Sequence, residues 1–417
     1  MSNNIFDTLR EQSPDQVLEK ARKVMPWGSS TCSKAPYLRP YEPAAIVKGK
    51  GCRVWDIEGR EFIDFRNALG PITLGYQFPE VDEAIRKQLE SGILFGHPSI
   101  LEYEVAEMLT EIIPCAEQVR FLKTGGEAMA ACIRIARGYT GKDHIIQVGY
   151  NGWLNSLAAG GPVLPRQSGG SFSSGIPKCL SDLHHSCKWN DIESIKKVYE
   201  EVNGNLAAIA IAADYAELEK GATYYKEVRD FADKNDVLLI FDEIVTGFRV
   251  ALGGVQEYFN VKPDLAVFSK GIANGMPVSV YAGRKEVMER CDKGNGVVVS
   301  STFAGETLSL AAAKAAINVY KTSNVIEHLW KQGQKLWESL SALLGKYNVP
   351  IEIKGIWPCP TFSVRADAPS NTITDFFSLA YKHGVSLYNV SYINFSHKDK
   401  DIVETLQRLE KACAEFR

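Results

Sequence analysis

Between about Pro79 and Tyr320, short β-branched runs alternate with amphipathic helical patterns. Few architectures accept that alternation: it predicts an α/β fold in which a mainly parallel sheet is covered by helices on both faces. The strand candidates are 119–122, 144–148, 207–213, 237–241, 265–268, 278–282 and 297–300. Several are apolar throughout, as strands buried on both faces require. Among the helical patterns, Val81, Ile85 and Leu89 share one face. Leu101, Val105, Leu109 and Ile112 share another that stops at Pro114, and Tyr225, Val228, Phe231 and Ala232 form a third.

The pattern changes after about Asn324, where a long amphipathic helix runs to about Lys346. Strand-like IEIKGI and TFSVRA follow, then a helix near 372–383, VSLY and a closing helix from Asp399. This predicts a smaller α+β domain over 323–417, beside a large ligand-binding domain over 79–322. Residues 1–78 carry a helix near 14–24, a Pro-rich passage and the hairpin-like AIVKGKGCRVWDIEGREFIDF. They are too few to build a large core and are expected to pack with the small domain.

Charge and composition narrow the function. Lys and Arg total 47 against 50 Asp and Glu, a net charge of −3, so no global attraction to nucleic acid or an anionic membrane is expected. Any anionic ligand has to be held locally. No basic run precedes an apolar stretch at the start, and no run of membrane-spanning length occurs, which predicts a soluble cytoplasmic protein. The nine cysteines include no C-x-x-C pair and do not suggest a disulfide framework. His184, His185 and Cys187 lack a second matched ligand pair and read as a polar loop, with no metal site expected. GGPVLPRQSGGSFSSG, residues 160–175, is a long Gly- and Ser-rich loop.

Asp242 follows the apolar strand VLLIF and Lys270 follows DLAVFS. Both are thus delivered to the carboxyl edge of the sheet, where open α/β folds bind ligands. A carboxylate and an amine at one edge suit a cofactor with a cationic ring and an aldehyde, which is pyridoxal 5′-phosphate: the lysine forms a Schiff base and the carboxylate pairs with the pyridinium nitrogen. A carboxylate about 4 Å from that nitrogen, at an effective dielectric near 20, favours the protonated ring by about 4 kcal/mol. Alone, the pair is equally compatible with two solvated charges.

The phosphate needs its own cradle. Thr124, Gly125 and Gly126 lie between the strand VRFL and a helix whose apolar face is Ala128, Met129, Cys132, Ile135 and Ala136. Glycines permit close backbone approach, and a helix N-terminus presents free N–H groups to an anion. Taken alone, Gly125-Gly126 reads as a capping turn. No G-x-G-x-x-G follows a strand, which disfavours a dinucleotide-dependent oxidoreductase.

Four motifs in order, TGGEAMAACIRIARGYTGKDHII, IFDEIVTGFR, FSKGIANGMPVS and STFAGETLSLAAA, resemble the signatures of class III pyridoxal-phosphate-dependent aminotransferases. The branch they look most like is that of glutamate-1-semialdehyde 2,1-aminomutase, and the likeness runs from about Pro26 to the C-terminus. The resemblance implies fold type I, Lys270 as the Schiff-base lysine and Asp242 as the ring partner. It implies a phosphate site at Thr124, Gly125 and Gly126, and ring contacts from Tyr150 and Ile244. It also implies a homodimer with composite sites, in which Thr302 reaches the phosphate of the neighbouring subunit. Asn151 stands where the family has a histidine after the stacking aromatic. Glu243 and Arg249 are expected to support the loop structure.

On the substrate side this chain departs from the family. Lys34 falls where the aminomutase has a carboxylate-binding arginine, and a lysine lacks the bidentate fork. Asn389 stands where a glutamate is usual, and AGET adds Glu306 at the edge of the site. These three residues are the candidates for substrate binding. The expectation is an aminotransferase that moves an amino group between a small-molecule amino donor and a carbonyl acceptor by a ping-pong mechanism. The alternatives are a 2,1-aminomutase and an amino-acid racemase.

Overall fold

The computed structural model describes residues 12–154 and 175–416, so the loop expected at 160–175 lies, apart from Gly175, outside the described residues. The chain forms two compact units, one of residues 12–78 and 327–416 and one of 79–154 and 175–326.

The first unit opens with the helix Pro14–Val24. Ser13 caps it through Oγ, which accepts from Gln16 N at 3.3 Å, while Gln16 Oε1 accepts from Ser13 N at 2.9 Å. Strands β1 (Ile46–Lys50), β2 (Arg53–Asp56) and β3 (Glu61–Asp64) form an antiparallel meander, and the two-residue β13 (Val385–Ser386) pairs in parallel with β3. Both ends of the chain thereby share one sheet. Strands β11 (Ile351–Lys354) and β12 (Thr361–Val364) form a separate hairpin pair. The core centres on the fully buried Trp337, with Phe65 edge-on at 5.5 Å and His397 stacked on Phe65 at 4.4 Å. Three consecutive residues, Asn67, Ala68 and Leu69, adopt positive φ. Hydrogen bonds hold this costly turn: Asn67 Nδ2 donates to the Tyr392 carbonyl at 2.9 Å, and Asn394 Nδ2 donates to Asn67 Oδ1 at 2.8 Å.

The second unit is built on seven strands: β4 (Gln118–Leu122), β5 (His144–Val148), β6 (His184–Cys187), β7 (Leu206–Ala212), β8 (Leu238–Asp242), β9 (Leu265–Phe268) and β10 (Ser279–Gly283). Their order is β4-β10-β9-β8-β7-β5-β6, with β10 antiparallel to both neighbours and the other pairings parallel. Strand alternation assigns the two faces. Ala208, Ala210, Leu238, Ile240, Leu265 and Val267 pack with Ala128, Met129, Cys132 and Ile135 of the helix Gly125–Thr140. From the opposite face, Phe241 meets Tyr225 of the helix Gly221–Lys234 at 4.8 Å, and Phe268 meets Phe248 at 6.1 Å.

Two expectations are corrected. Residues 297–300 form no strand. Strand β4 already occupies the sheet edge beside β10, Val297 packs onto Gly138, and Val298 is exposed. A β-branched run with no slot in a ladder stays irregular. Conversely, His184–Cys187, read as a polar loop, is the edge strand β6. An edge strand pairs on one side only, so its composition carries little apolar signal. Among the described residues, no helix is long and apolar enough to cross a membrane.

Candidate active site

The topology brings several strand ends to one edge. Strands β5, β7, β8 and β9 run parallel, and two antiparallel steps through β10 make β4 parallel to β9. Their carboxyl ends therefore carry Thr124 after β4, Tyr150 after β5, Asp242 at the end of β8 and Lys270 just beyond β9.

Lys270 begins a tight helical turn, Lys270–Ala273, with φ +43°, in the left-handed region that side-chain-bearing residues seldom occupy. The turn is held from two sides. Ser269 Oγ donates to the Val278 carbonyl at 2.8 Å, and Tyr320 Oη donates to the Gly271 carbonyl at 2.9 Å.

Asp242 is 8% exposed. Its Oδ1 accepts the Ile244 N–H at 3.0 Å and its Oδ2 accepts Asn151 Nδ2 at 3.3 Å. Burial pushes its carboxyl up to about 6, and these two donors together with the Lys270 charge offset only part of that rise. The carboxylate is thus short of positive charge, a deficit that a cationic ring N–H on Oδ2 or Oδ1 meets.

At the start of the helix Gly125–Thr140, Thr124 is the N-cap. Its Oγ1 accepts the Glu127 N–H at 3.4 Å, and Glu127 Oε2 accepts the Thr124 N–H at 2.8 Å. The Gly125 and Gly126 N–H groups belong to the first turn, which has no intrahelical acceptor. A Cβ at Gly125 would overlap Ile244 Cδ1, whereas one at Gly126 would meet only Leu154 at 3.5 Å. Gly125 and Ile244 are therefore in direct contact, and the turn fits a bound phosphate.

Thr302 lies in an exposed turn that precedes the helix Thr307–Thr322. Glu306 closes that turn as the helix cap and pairs with Lys123 at 2.8 Å, so its carboxylate is engaged by protein groups. Lys34 and Asn389 belong to the first unit and both are exposed. Lys34 borders a cavity of about 370 Å³ that Glu42, Asp64, Arg66 and Leu69 also line. The sequence reading missed Arg66, whose guanidinium pairs with Glu42 at 2.7 Å and donates to the Ser33 carbonyl at 2.6 Å beside Lys34. No motif flags an arginine at that position.

Glu243, beside Asp242, anchors the following loop. It accepts from Thr246 Oγ1, from the Val255 N–H at 2.9 Å and from the Gln256 N–H at 3.1 Å. Arg249 is fully buried, and its Nε donates to the Val245 carbonyl at 2.9 Å. Asn151, noted in the sequence only as a departure from the resembled family, donates from its side chain to Asp242. Among the described residues, no group of three or more His, Cys, Asp or Glu side chains could hold a metal.

A model of the family described as aminotransferase class-III matches residues 37–412. A glutamate-1-semialdehyde 2,1-aminomutase of Acetivibrio thermocellus is 33% identical over 417 aligned residues, covering 94% of this chain and 96% of the relative. An omega-transaminase from Sphaerobacter thermophilus superposes with a TM-score of 0.85 at 24% identity, covering 97% of this chain and 98% of that one. A structure described as a transaminase with PLP bound gives a TM-score of 0.85 at 25% identity, covering 96% of each chain.

Proposed function

The chain belongs to the class-III aminotransferase family, and we propose that it is a pyridoxal 5′-phosphate-dependent aminotransferase acting between a small-molecule amino donor and a carbonyl acceptor. The observation that carries the reading is the convergence of Asp242, Lys270 and the Gly125 turn on one sheet edge, with a buried carboxylate left short of positive charge.

Lys270 would hold the cofactor through its amine, Asp242 would accept the ring N–H, and the Gly125 and Gly126 N–H groups would bind the phosphate. Bound there, the cofactor supplies an electrophilic aldehyde and a ring that withdraws electrons from the substrate carbon. Lys270 Nζ would also act as the general base that takes the proton from the amino-bearing carbon of the substrate. Burial of Asp242 keeps its charge unscreened by water. Tyr150 and Ile244 would pack on the two faces of the ring.

Thr302 would reach the phosphate of a second copy in a homodimer. Supporting that partner, Ile93, Leu94 and Phe95 are all exposed, as is Phe303. Thr307 Oγ1 donates to the Ile93 carbonyl at 2.9 Å, so the two exposed apolar segments are neighbours.

Lys34 in place of a bidentate arginine, and Asn389 in place of a glutamate, favour transfer between two substrates over rearrangement within one. A 2,1-aminomutase is the second reading, favoured by the 33% identity to a protein of that name. Protein loaded with pyridoxamine 5′-phosphate and given a panel of carbonyl acceptors, with no donor, separates them. A transferase yields one equivalent of external amine per site. Rearrangement of glutamate-1-semialdehyde with no amine formed from any acceptor overturns the proposal.

A further inference from the structure

We infer that Asn151 is a positioning residue for Asp242, fixing one oxygen of its carboxylate through an uncharged donor; the inference rests on the functional reading above. Asn151 is 1% exposed and stands just beyond β5 at the edge where β8 ends. Its Nδ2 reaches Asp242 Oδ2 at 3.3 Å, while the Ile244 N–H holds Oδ1 at 3.0 Å. One donor on each oxygen fixes the plane of the carboxylate. Without the Asn151 donor, only Oδ1 keeps a fixed neutral donor, so the group is freer to turn about its Cβ–Cγ bond, and the lone pair offered to the ring nitrogen turns with it.

A second observation separates this role from ordinary packing. Asn151 Oδ1 is buried and has no hydrogen-bond partner. An amide that serves the core is bonded at both ends, because a bare buried acceptor costs stability. Rotating the amide by half a turn does not help, since it sets Oδ1 against the Asp242 carboxylate. The residue is therefore kept in place at a cost to the fold, and its contact with Asp242 is what it provides in return.

The test compares the full-length protein with its Asn151→Leu and Asn151→His variants. Each is titrated with pyridoxal 5′-phosphate by visible absorption, and each is melted without cofactor. Leucine keeps the branched four-atom skeleton of asparagine, with bulkier methyl ends, and removes both the donor and the bare oxygen, whereas histidine supplies a ring N–H. The leucine variant is expected to melt at or above the wild-type temperature, yet to bind the cofactor about tenfold more weakly or worse, the loss of one hydrogen bond to a charged group. The histidine variant restores most of the affinity. Equal affinity in wild type and Asn151→Leu overturns the inference. So does a leucine variant that melts well below wild type or fails to fold, since the role is then structural. If the wild type itself binds no pyridoxal 5′-phosphate, the functional reading fails and takes this inference with it, a result distinct from equal binding.

Discussion

Lys123 Nζ lies 2.8 Å from Glu306 Oε2, and that pair ties the loop before the helix Gly125–Thr140 to the turn before the helix Thr307–Thr322. The same carboxylate caps the second helix: Oε1 accepts the Leu308 N–H at 2.6 Å, and Oε2 accepts the Ser309 N–H at 3.2 Å. Removing it with Glu306→Ala is expected to cost about 2 kcal/mol, mostly the lost cap with a smaller share from the half-buried ion pair. Urea unfolding measures this. Burial raises the Glu306 carboxyl, but Lys123 and Ser309 pull it further down, so it ends below its ordinary value. A lowered carboxyl stabilises the fold above its unfolded value and loses that contribution as the pH falls through the folded one. The stability gap between wild type and Glu306→Gln should therefore be constant near neutrality and shrink below about pH 4.

Gly125 has no room for a side chain because Ile244 Cδ1 occupies the place of a Cβ, with Cγ1 at 2.9 Å behind it. Gly125→Ala should push Ile244 away and weaken binding of pyridoxal 5′-phosphate by about tenfold or more, since the amides shift from the phosphate. Valine lacks Cδ1, so adding Ile244→Val should recover part of the loss. A cofactor titration of the three variants reads this coupling, and strictly additive effects would show that the two positions act independently.

Much of this architecture was legible in the sequence, and the exceptions have physical causes. Strands β5 and β9 fall where the apolar runs placed them, and the helix Pro14–Val24 begins at its Ser13 cap, because local pattern dictates those elements. Residues 297–300 have a strand's composition without a ladder to join, and His184–Cys187 pairs on an edge with a composition that advertises nothing. Asp242 and Lys270 could be placed at the carboxyl edge of the sheet from the sequence, because each comes at or just after the end of an apolar run. The roles of Asn151 and Arg66 were not readable, since they depend on contacts with residues 91 and 24 positions away in the chain.

Asp242 shows how such a site strains its own fold. Burial lifts its carboxyl to about 6, and Glu243 next to it is lifted to about 7 by the same cause. A carboxyl raised by folding binds protons more tightly in the native state, so the stability it contributes is present at low pH and is lost as the pH rises through the folded value. Without cofactor, the protein should be less stable at pH 8 than at pH 5. Asp242→Asn should remove about 1.4 kcal/mol of that difference, the one unit between pH 5 and the folded value, with the Glu243 part remaining. The same variant, supplied with cofactor, should lose about a thousandfold in turnover, because about 4 kcal/mol of ring stabilisation is gone. Thermal melts at the two pH values and steady-state rates check the two halves separately.

The exposed run Ile93, Leu94 and Phe95 is tied through the Ile93 carbonyl to Thr307, at the start of the helix that follows the turn carrying Thr302 and the exposed Phe303. Large apolar side chains grouped on a surface mark a contact with another protein, and on the proposed reading Thr302, on that same turn, would give the contact a chemical consequence. Phe95→Glu should place a charge in the middle of the patch, where pairing with a second copy would bury it without a counter-ion. Size-exclusion chromatography with light scattering should then show a dimeric wild type and a monomeric variant. Cofactor affinity should fall in that monomer although none of the Asp242, Lys270 or Gly125 positions has changed, because the phosphate has lost the hydroxyl contributed by the partner. A Thr302→Ala variant isolates that contribution: it should stay dimeric and show the affinity loss alone. A wild type that is monomeric with full cofactor affinity would refute the shared site.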